Sequence, residues 1–145
     1  MTILQLLQAN EVFDQLSRLD TAKELKLTGS ARILLSENRR RINKPVRDYL
    51  EQQDVLIKEL GEPIPETNPP RFQVPPASAN YPKLEAAVKE MQKGEIEIKL
   101  SSLTPEQLFG NEKLTPPEKL NQIPFDLVAV MLDLGLIDQP AEEKK

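Results

Sequence analysis

Apolar residues recur every three to five positions along the first twenty residues of the chain, with polar residues between them. The recurring positions are Leu4, Leu7, Val12, Phe13, Leu16 and Leu19. Because an α-helix turns once in about 3.6 residues, this spacing places the apolar side chains on one face. The pattern predicts an amphipathic helix over residues 4–19.

A longer apolar stripe covers residues 31–60. Four of its members fall seven positions apart and three more flank them: Leu35, Ile42, Tyr49 and Leu56, with Val46, Ile57 and Leu60. Thr28 or Ser30 can cap the start of this helix, and Gly61 supplies the residue that follows its end. We therefore expect a helical hairpin over residues 1–61.

The predicted second helix is long relative to the protein. It measures about 45 Å at about 1.5 Å per residue, whereas a compact domain of this size is about 38 Å across. The first helix covers only about half of that length, so the remaining stripe must pack on the C-terminal elements or on a partner chain. Pro45 cannot donate a hydrogen bond to the Arg41 carbonyl, and we expect a kink near residues 42–44.

Residues 61–82 contain seven prolines, which exclude a regular helix. We interpret residues 62–82 as a stiff, polyproline-like connector. Two alternatives stay open. Residues 65–71 offer some of the spacing of a proline-rich ligand for an SH3-type groove, and Phe72–Val74 has the alternation of a short strand.

The C-terminal half of the chain begins with a helix and a strand. Pro82 fits the first turn of a third helix that runs to Gly94. Glu95–Leu100 then alternates charged and aliphatic residues, which is the period of a strand. Because an isolated strand is unstable, we expect it to pair with Phe72–Val74 or Leu25–Leu27.

Three further helices are predicted after this strand. Thr104 and Thr115 each precede a proline and are followed, three positions on, by Gln107 and Glu118, which is the pattern of a capped helix start. The last helix, at about residues 124–134, is apolar on most sides. That pattern is typical of a helix in a core or an interface.

Together these elements predict an α+β fold that is predominantly α-helical. It would combine the long helical hairpin, a small two- or three-stranded sheet and the C-terminal helices. Residues 83–138 would form a helix-strand-helix subdomain within one compact domain overall, and residues 139–145 a flexible tail.

Composition narrows the chemistry open to this chain. It contains no histidine and no cysteine. This removes imidazole acid-base catalysis, thiolate nucleophiles and the usual zinc sites. Glu95 and Glu97 project from one side of the predicted strand, but carboxylates between aliphatic residues are typical of any half-solvated strand. We predict no enzyme activity, no catalytic residue, no metal site and no cofactor.

Charge is distributed unevenly. Residues 1–60 hold ten Lys or Arg and nine Asp or Glu, and residues 61–145 hold nine and fourteen. An acidic protein is a poor match for nucleic acid or anionic membranes in general, because both require cation-rich surfaces. No apolar run approaches the roughly 20 residues that a bilayer span requires. We expect no membrane association and no small-molecule substrate.

The order of elements resembles a group of small, uncharacterised proteins of tailed bacteriophages and prophages. The resemblance covers residues 3–137 and rests on element order and a few short sequences: Glu59-Leu60-Gly61-Glu62, Pro82-Lys83-Leu84, Gly94-Glu95-Ile96-Glu97-Ile98, Leu103-Thr104 and Thr115-Pro116. It implies a phage-encoded accessory protein that is oligomeric or partner-bound, located in the bacterial host cytoplasm or the virion. It implies no catalytic residues.

One basic cluster is a candidate binding surface. It consists of Arg39, Arg40, Arg41, Lys44 and Arg47. On a helix, Arg40, Lys44 and Arg47 share a face and could bind phosphate or an acidic protein surface. The competing interpretation is a solvated face whose charges pair with nearby carboxylates.

The apolar stripe is the second candidate surface, through Leu35, Ile42, Tyr49 and Leu56. A helix longer than its own domain has surplus apolar surface, which self-association or a protein partner would bury, and the apolar C-terminal helix offers the same opportunity. The competing interpretation is the core of a monomer.

These observations favour a non-catalytic, phage-type structural or accessory protein that acts through protein–protein interaction, with another protein or a second copy as its partner. The alternative is a phage-encoded inhibitor or regulator of a host nucleic-acid enzyme or defence system, in which the acidic half imitates a phosphate backbone. A nucleic-acid factor that acts through the arginines ranks third.

Overall fold

The computed structural model describes residues 1–111 and 113–138, without the side chain of Pro117. Within them, 59% of residues are helical. The helices are α1 Ile3–Thr21, α2 Gly29–Leu60, α3 Tyr81–Lys93, α4 Pro105–Phe109 and α5 Phe125–Asp133, with a 3₁₀ turn at Pro117–Lys119; the strands are β1 Glu62–Pro63 and β2 Phe72–Gln73. The predicted α+β, predominantly helical fold is confirmed. The predicted tail at 139–145 lies outside the described residues.

Local capping explains where two of the helices begin. The Thr28 hydroxyl accepts a hydrogen bond from the Ala31 amide at 3.1 Å, as expected at the start of α2. Thr104 and Gln107 form the predicted capping box at the start of α4. After Thr115, the chain forms only a 3₁₀ turn. The second of two consecutive prolines restricts the residue before it to extended backbone, which disfavours a longer helix.

Helix α2 continues through Pro45 without a break. The helix ends at Gly61, whose amide donates to the Ile57 carbonyl at 2.8 Å. Asn80, at the start of α3, does not cap that helix with its side chain. Its amide instead donates to the Leu60 carbonyl at 3.0 Å, and so satisfies an acceptor at the end of α2.

Residues 62–73 form a β-hairpin, so the interpretation as a polyproline-like connector is wrong there, and the alternative of a short strand at Phe72–Val74 is confirmed at Phe72–Gln73. β1 and β2 pair antiparallel, with Glu62 opposite Gln73. The Ile64 amide continues the ladder to the Arg71 carbonyl at 2.7 Å. The Thr67 hydroxyl donates to the Ile64 carbonyl and accepts from the Arg71 amide, both at 2.9 Å. The Thr67 hydroxyl therefore joins the two sides of the loop. Pro63 is tolerated because it lies on an edge strand, where no backbone donor is required of it.

The predicted strand at Glu95–Leu100 is also wrong. These residues alternate between exposed and half-buried, as expected, but they form no strand. Their backbone pairs with the N-terminal residues through an isolated bridge between Glu95 and Thr2 and a hydrogen bond from the Ile96 amide to the Met1 carbonyl at 2.8 Å. Phe72 pairs with β1 instead. An alternating pattern indicates an extended segment with one covered face, and it does not by itself supply a second strand.

The chain forms two compact units built from interleaved segments. Among the described residues, unit 1 comprises 1–4 and 43–97, and unit 2 comprises 5–42, 98–111 and 113–138. The boundary between the two units within α2 follows Ile42, three residues before Pro45.

Unit 2 contains most of the buried hydrophobic side chains. They are Leu6, Ala9, Val12, Phe13, Leu16, Leu25, Leu27, Ala31, Ile42, Leu103, Leu108, Leu127, Met131, Leu136 and Ile137. Helix α1 packs antiparallel to the first part of α2, since Asp14 pairs with Arg39 and Asp20 with Arg32. The predicted helical hairpin is therefore present in this unit.

Two asparagines pair through their side chains with the backbone of extended segments in unit 2. The Asn38 amide donates to the Ser101 carbonyl and accepts from the Ser101 amide, both at 2.8 Å. The Asn121 side chain makes the same paired contact with the Lys26 backbone, at 2.7 and 2.9 Å. A side-chain amide thus takes the place of a neighbouring strand.

Candidate protein-binding groove

An open groove of about 720 Å³ lies between the second half of α2 and α3, within unit 1. We call it the α2–α3 groove. Its lining residues are Asp48, Glu51, Gln52, Val55 and Leu56 from α2, and Ala87, Glu90 and Met91 from α3. The spacing of three and four residues places each set on one face of its helix.

The floor of the groove is apolar and accessible. Val55 is 53% exposed. Leu56, Ala87 and Met91 are half-buried. In α3, which lies wholly within the described residues, no residue is buried although the helix is amphipathic. An amphipathic helix normally buries its apolar face, so the face of α3 is only partly covered.

Carboxylates form the rim of the groove. Asp48, Glu51 and Glu90 are among its lining residues, and no described Lys or Arg is. Lys44 approaches Asp48 at 3.2 Å and Lys93 approaches Glu90 at 3.7 Å. All four side chains are exposed to solvent, so each ion pair is weak. The groove therefore presents apolar surface bordered by negative charge.

A smaller groove of about 330 Å³ adjoins the first and shares Asp48, Gln52 and Met91 with it. It extends the accessible surface to Pro45. The Tyr49 side chain is buried, and its hydroxyl accepts a hydrogen bond from Gln92 Nε2 at 3.2 Å, which ties α2 to α3. From Pro45 to Leu56 the surface follows α2 for about 16 Å.

Unit 1 has little core of its own. Among residues 1–4 and 43–97, all of which the structure describes, two hydrophobic side chains are buried, those of Val46 and Tyr49. Most of its remaining apolar residues are half-buried. A unit of this kind has apolar area available for a partner.

The predicted basic residues fall in both units. Within unit 2, Arg39 pairs with Asp14 at 3.1 Å, and Arg41 donates to the Lys99 carbonyl at 3.1 Å. These two side chains hold α1 and an extended segment to α2. Two residues of the predicted basic cluster are thus engaged in contacts within unit 2.

The other basic residues are more accessible. Arg40 and Arg47 are exposed, and their side chains make no ion pair or hydrogen bond with another described residue. Lys44 pairs only with Asp48 among the described residues. Arg40 belongs to unit 2, and Lys44 and Arg47 belong to unit 1.

The predicted apolar residues divide in the same way. Ile42 is fully buried and Leu35 half-buried in unit 2. In unit 1, Tyr49 is buried and Leu56 lines the α2–α3 groove. Sequence reasoning missed Val55 and the carboxylate rim. The signal was present, since Asp48, Glu51 and Val55 are spaced three and four apart and so share one helix face.

Unit 2 has a pocket of about 220 Å³ between α1 and α2. Arg32 and Arg39 line it, but each is already paired with an aspartate. Unit 2 also exposes apolar side chains on α5, where Phe125 is 84% and Leu132 is 37% exposed. They lie seven residues apart on one face.

Across the described ranges 1–111 and 113–138, no cluster of three or more acidic side chains is arranged to hold a metal ion. In the same ranges no helix has the length and apolarity to cross a bilayer. Comparison with known protein families, characterised proteins and solved structures finds no match to this chain.

Proposed function

We propose that this chain is a non-catalytic protein that works by binding another protein, and that the α2–α3 groove is its binding surface. One observation supports this proposal above the others. Unit 1 buries two hydrophobic side chains and leaves an apolar floor around Val55 open to solvent. Covering that floor would bury apolar area, which is the main favourable term in protein association.

The biological setting that we propose is a phage-encoded accessory protein in the bacterial host cytoplasm or in the virion. The resemblance in element order supports it. A virion component would appear at fixed copy number in the mass spectrum of purified virions. An inhibitor or regulator of a host enzyme would be absent from them and would co-purify with its target instead.

The binding surface is tested by site-specific crosslinking in cells that express the intact protein. A photoreactive residue is placed at Val55, and the matched control places it at Ile33, which is 61% exposed on the same helix but belongs to unit 2. We expect an adduct of defined mass from position 55 and none of that mass from position 33.

A second substitution makes the test specific to the groove. Met91→Asp places a charge on the opposite wall of the groove and should remove the adduct at position 55. Glu85→Ala on the same helix should leave it unchanged, because residue 85 lies about 200° around α3 from Ala87. An adduct that survives Met91→Asp, or that forms equally at both crosslinking positions, would reject the groove as the binding surface.

A further inference from the structure

We infer that the occupant of the α2–α3 groove is a basic amphipathic helix of about three turns, supplied by a protein partner. This inference rests on the proposed function and specifies the partner's chemistry. It combines the shape of the groove, its length and the charge of its rim.

The shape of the groove favours a helix. Its walls are two helices, and the side chains at Gln52, Val55 and Leu56 form ridges at spacings of three and four residues. The natural counterpart is a third helix whose apolar residues recur at the same spacing and lie between those ridges. The accessible surface follows α2 for about 16 Å, which corresponds to about 11 residues of such a helix.

The charge of the rim favours Lys or Arg beside the partner's apolar stripe. Asp48, Glu51 and Glu90 border an apolar floor, and the one described cation along the 16 Å surface is Lys44, which lines the adjoining groove and pairs with Asp48. Docking would exclude water from these carboxylates. The attraction between a carboxylate and a facing cation would therefore be stronger than in an ion pair exposed to solvent. Glu51 has no ion-pair partner among the described residues. It is therefore free to make a new pair.

The same charge argues against two other occupants. A second copy related by a twofold axis would bring this acidic patch against the same acidic patch, and like charges brought close together weaken association. Nucleic acid would bring phosphates to an acidic rim, whereas phosphate recognition requires Lys or Arg.

The test is a display library of 14-residue helical peptides, selected on the full chain. Apolar residues are fixed at i, i+3, i+4 and i+7, and the flanking positions are randomised. Peptides that also bind Val55→Asp are removed. We expect the remaining peptides to be enriched in Lys and Arg beside the apolar stripe.

A matched pair of charge reversals then measures the role of the rim. Glu51→Lys combined with Glu90→Lys should weaken the selected peptides by about tenfold or more at low salt. Asp54→Lys combined with Glu85→Lys makes the same change in net charge on the same two helices. Asp54 lines a different pocket, with Pro70 and Arg71, so this control should change the affinity by less than about twofold. All four substituted residues are exposed, and circular dichroism verifies that each variant folds.

The outcomes separate the two proposals. Enrichment of neutral or acidic flanks, with binding still dependent on Val55, would overturn the basic helix and leave protein binding by the groove intact. Absence of any Val55-dependent peptide would overturn both. Light scattering that showed a dimer of the wild type and a monomer of Val55→Asp would identify a second copy as the occupant and overturn the inference.

Discussion

Asn38 shows how a single polar side chain can organise a helical unit. It is the one buried polar residue among residues 1–111 and 113–138. It lies on the apolar stripe of α2, three residues after Leu35 and four before Ile42. Its amide satisfies both backbone groups of Ser101, so it anchors an extended segment that has no neighbouring strand there.

Replacing this residue should be costly. We expect Asn38→Ala to lower the free energy of unfolding by about 2–4 kcal/mol, because it leaves the amide and carbonyl of Ser101 without partners and opens a cavity. Chemical denaturation measures the change. Asn43→Ala, at an exposed position of the same helix, is the control and should stay within about 0.5 kcal/mol of wild type. Equal effects of the two substitutions would contradict this role for Asn38.

Lys23 occupies a backbone conformation that suits glycine. It has φ of 62° after the end of α1, and the Glu24 amide donates to the Leu19 carbonyl at 2.9 Å, as in a Schellman motif. We expect Lys23→Gly to raise the free energy of unfolding by about 0.5–1 kcal/mol, since the left-handed region costs other residues at least about 1 kcal/mol. Lys26→Gly, where φ is not positive, should lower it. A thermal melt that ranked the two variants in the reverse order would refute this account.

At the scale of elements, the end of α2 and the β-hairpin meet at Gly61. A Cβ there would lie 2.5 Å from the Gln73 carbonyl oxygen and closer still to that of Ile57. Both are backbone atoms that cannot rotate away. The glycine is therefore required by the close approach of two elements, in addition to following the last residue of the helix.

We expect Gly61→Ala to destabilise the protein by about 3 kcal/mol or more, because either the last turn of α2 or strand β2 must move. Denaturant unfolding followed by circular dichroism provides the measurement. Gly29→Ala is the control: nothing lies within 4 Å of a Cβ at that position, and alanine favours the start of α2. The two glycines must differ clearly for this interpretation to stand.

The elements that sequence predicted correctly depend on local chemistry. Helix spacing and the caps at Thr28 and Thr104 act within one or two turns, so the helices lie close to their expected bounds. The hairpin was missed because it depends on Thr67 bonding to both sides of the loop. Residues 99–103 were predicted in part as a strand, but their partners are Asn38, Arg41 and a short bridge to Ile137, which only the tertiary fold brings together.

The candidate groove was predictable in part. The acidic and apolar residues of α2 share a helix face that can be identified from their spacing alone. Glu90 and Met91 line the same groove only because α3 packs beside α2. No local pattern in either helix specifies that packing. The basic cluster was predicted as a surface from its composition. Two of its arginines are instead used in contacts within unit 2, because carboxylate and carbonyl oxygens lie within reach.

At the scale of the whole molecule, the two units differ in how much apolar surface they bury. Helix α1 has five buried residues, all in unit 2: Leu6, Ala9, Val12, Phe13 and Leu16. Helix α3 in unit 1, described in full, has no buried residue. Local stability follows buried apolar contacts, so unit 1 should open more readily than unit 2.

Amide hydrogen exchange tests this difference. We expect central amides of α3 to exchange at least about tenfold faster than central amides of α1 in the free protein. A peptide bound in the α2–α3 groove should slow exchange in α3 and leave α1 nearly unchanged. Equal protection of the two helices in the free protein would show that the missing core of unit 1 does not weaken it.

Tyr49, whose hydroxyl joins α2 to α3, also gives the protein an intrinsic fluorophore in unit 1. The chain has no tryptophan and two tyrosines, Tyr49 and Tyr81, and both belong to unit 1. Tyrosine emission is therefore not quenched by energy transfer to an indole, and it originates entirely from the unit that contains the groove. Titration with a peptide that lacks aromatic residues can be followed by this emission without attaching a dye.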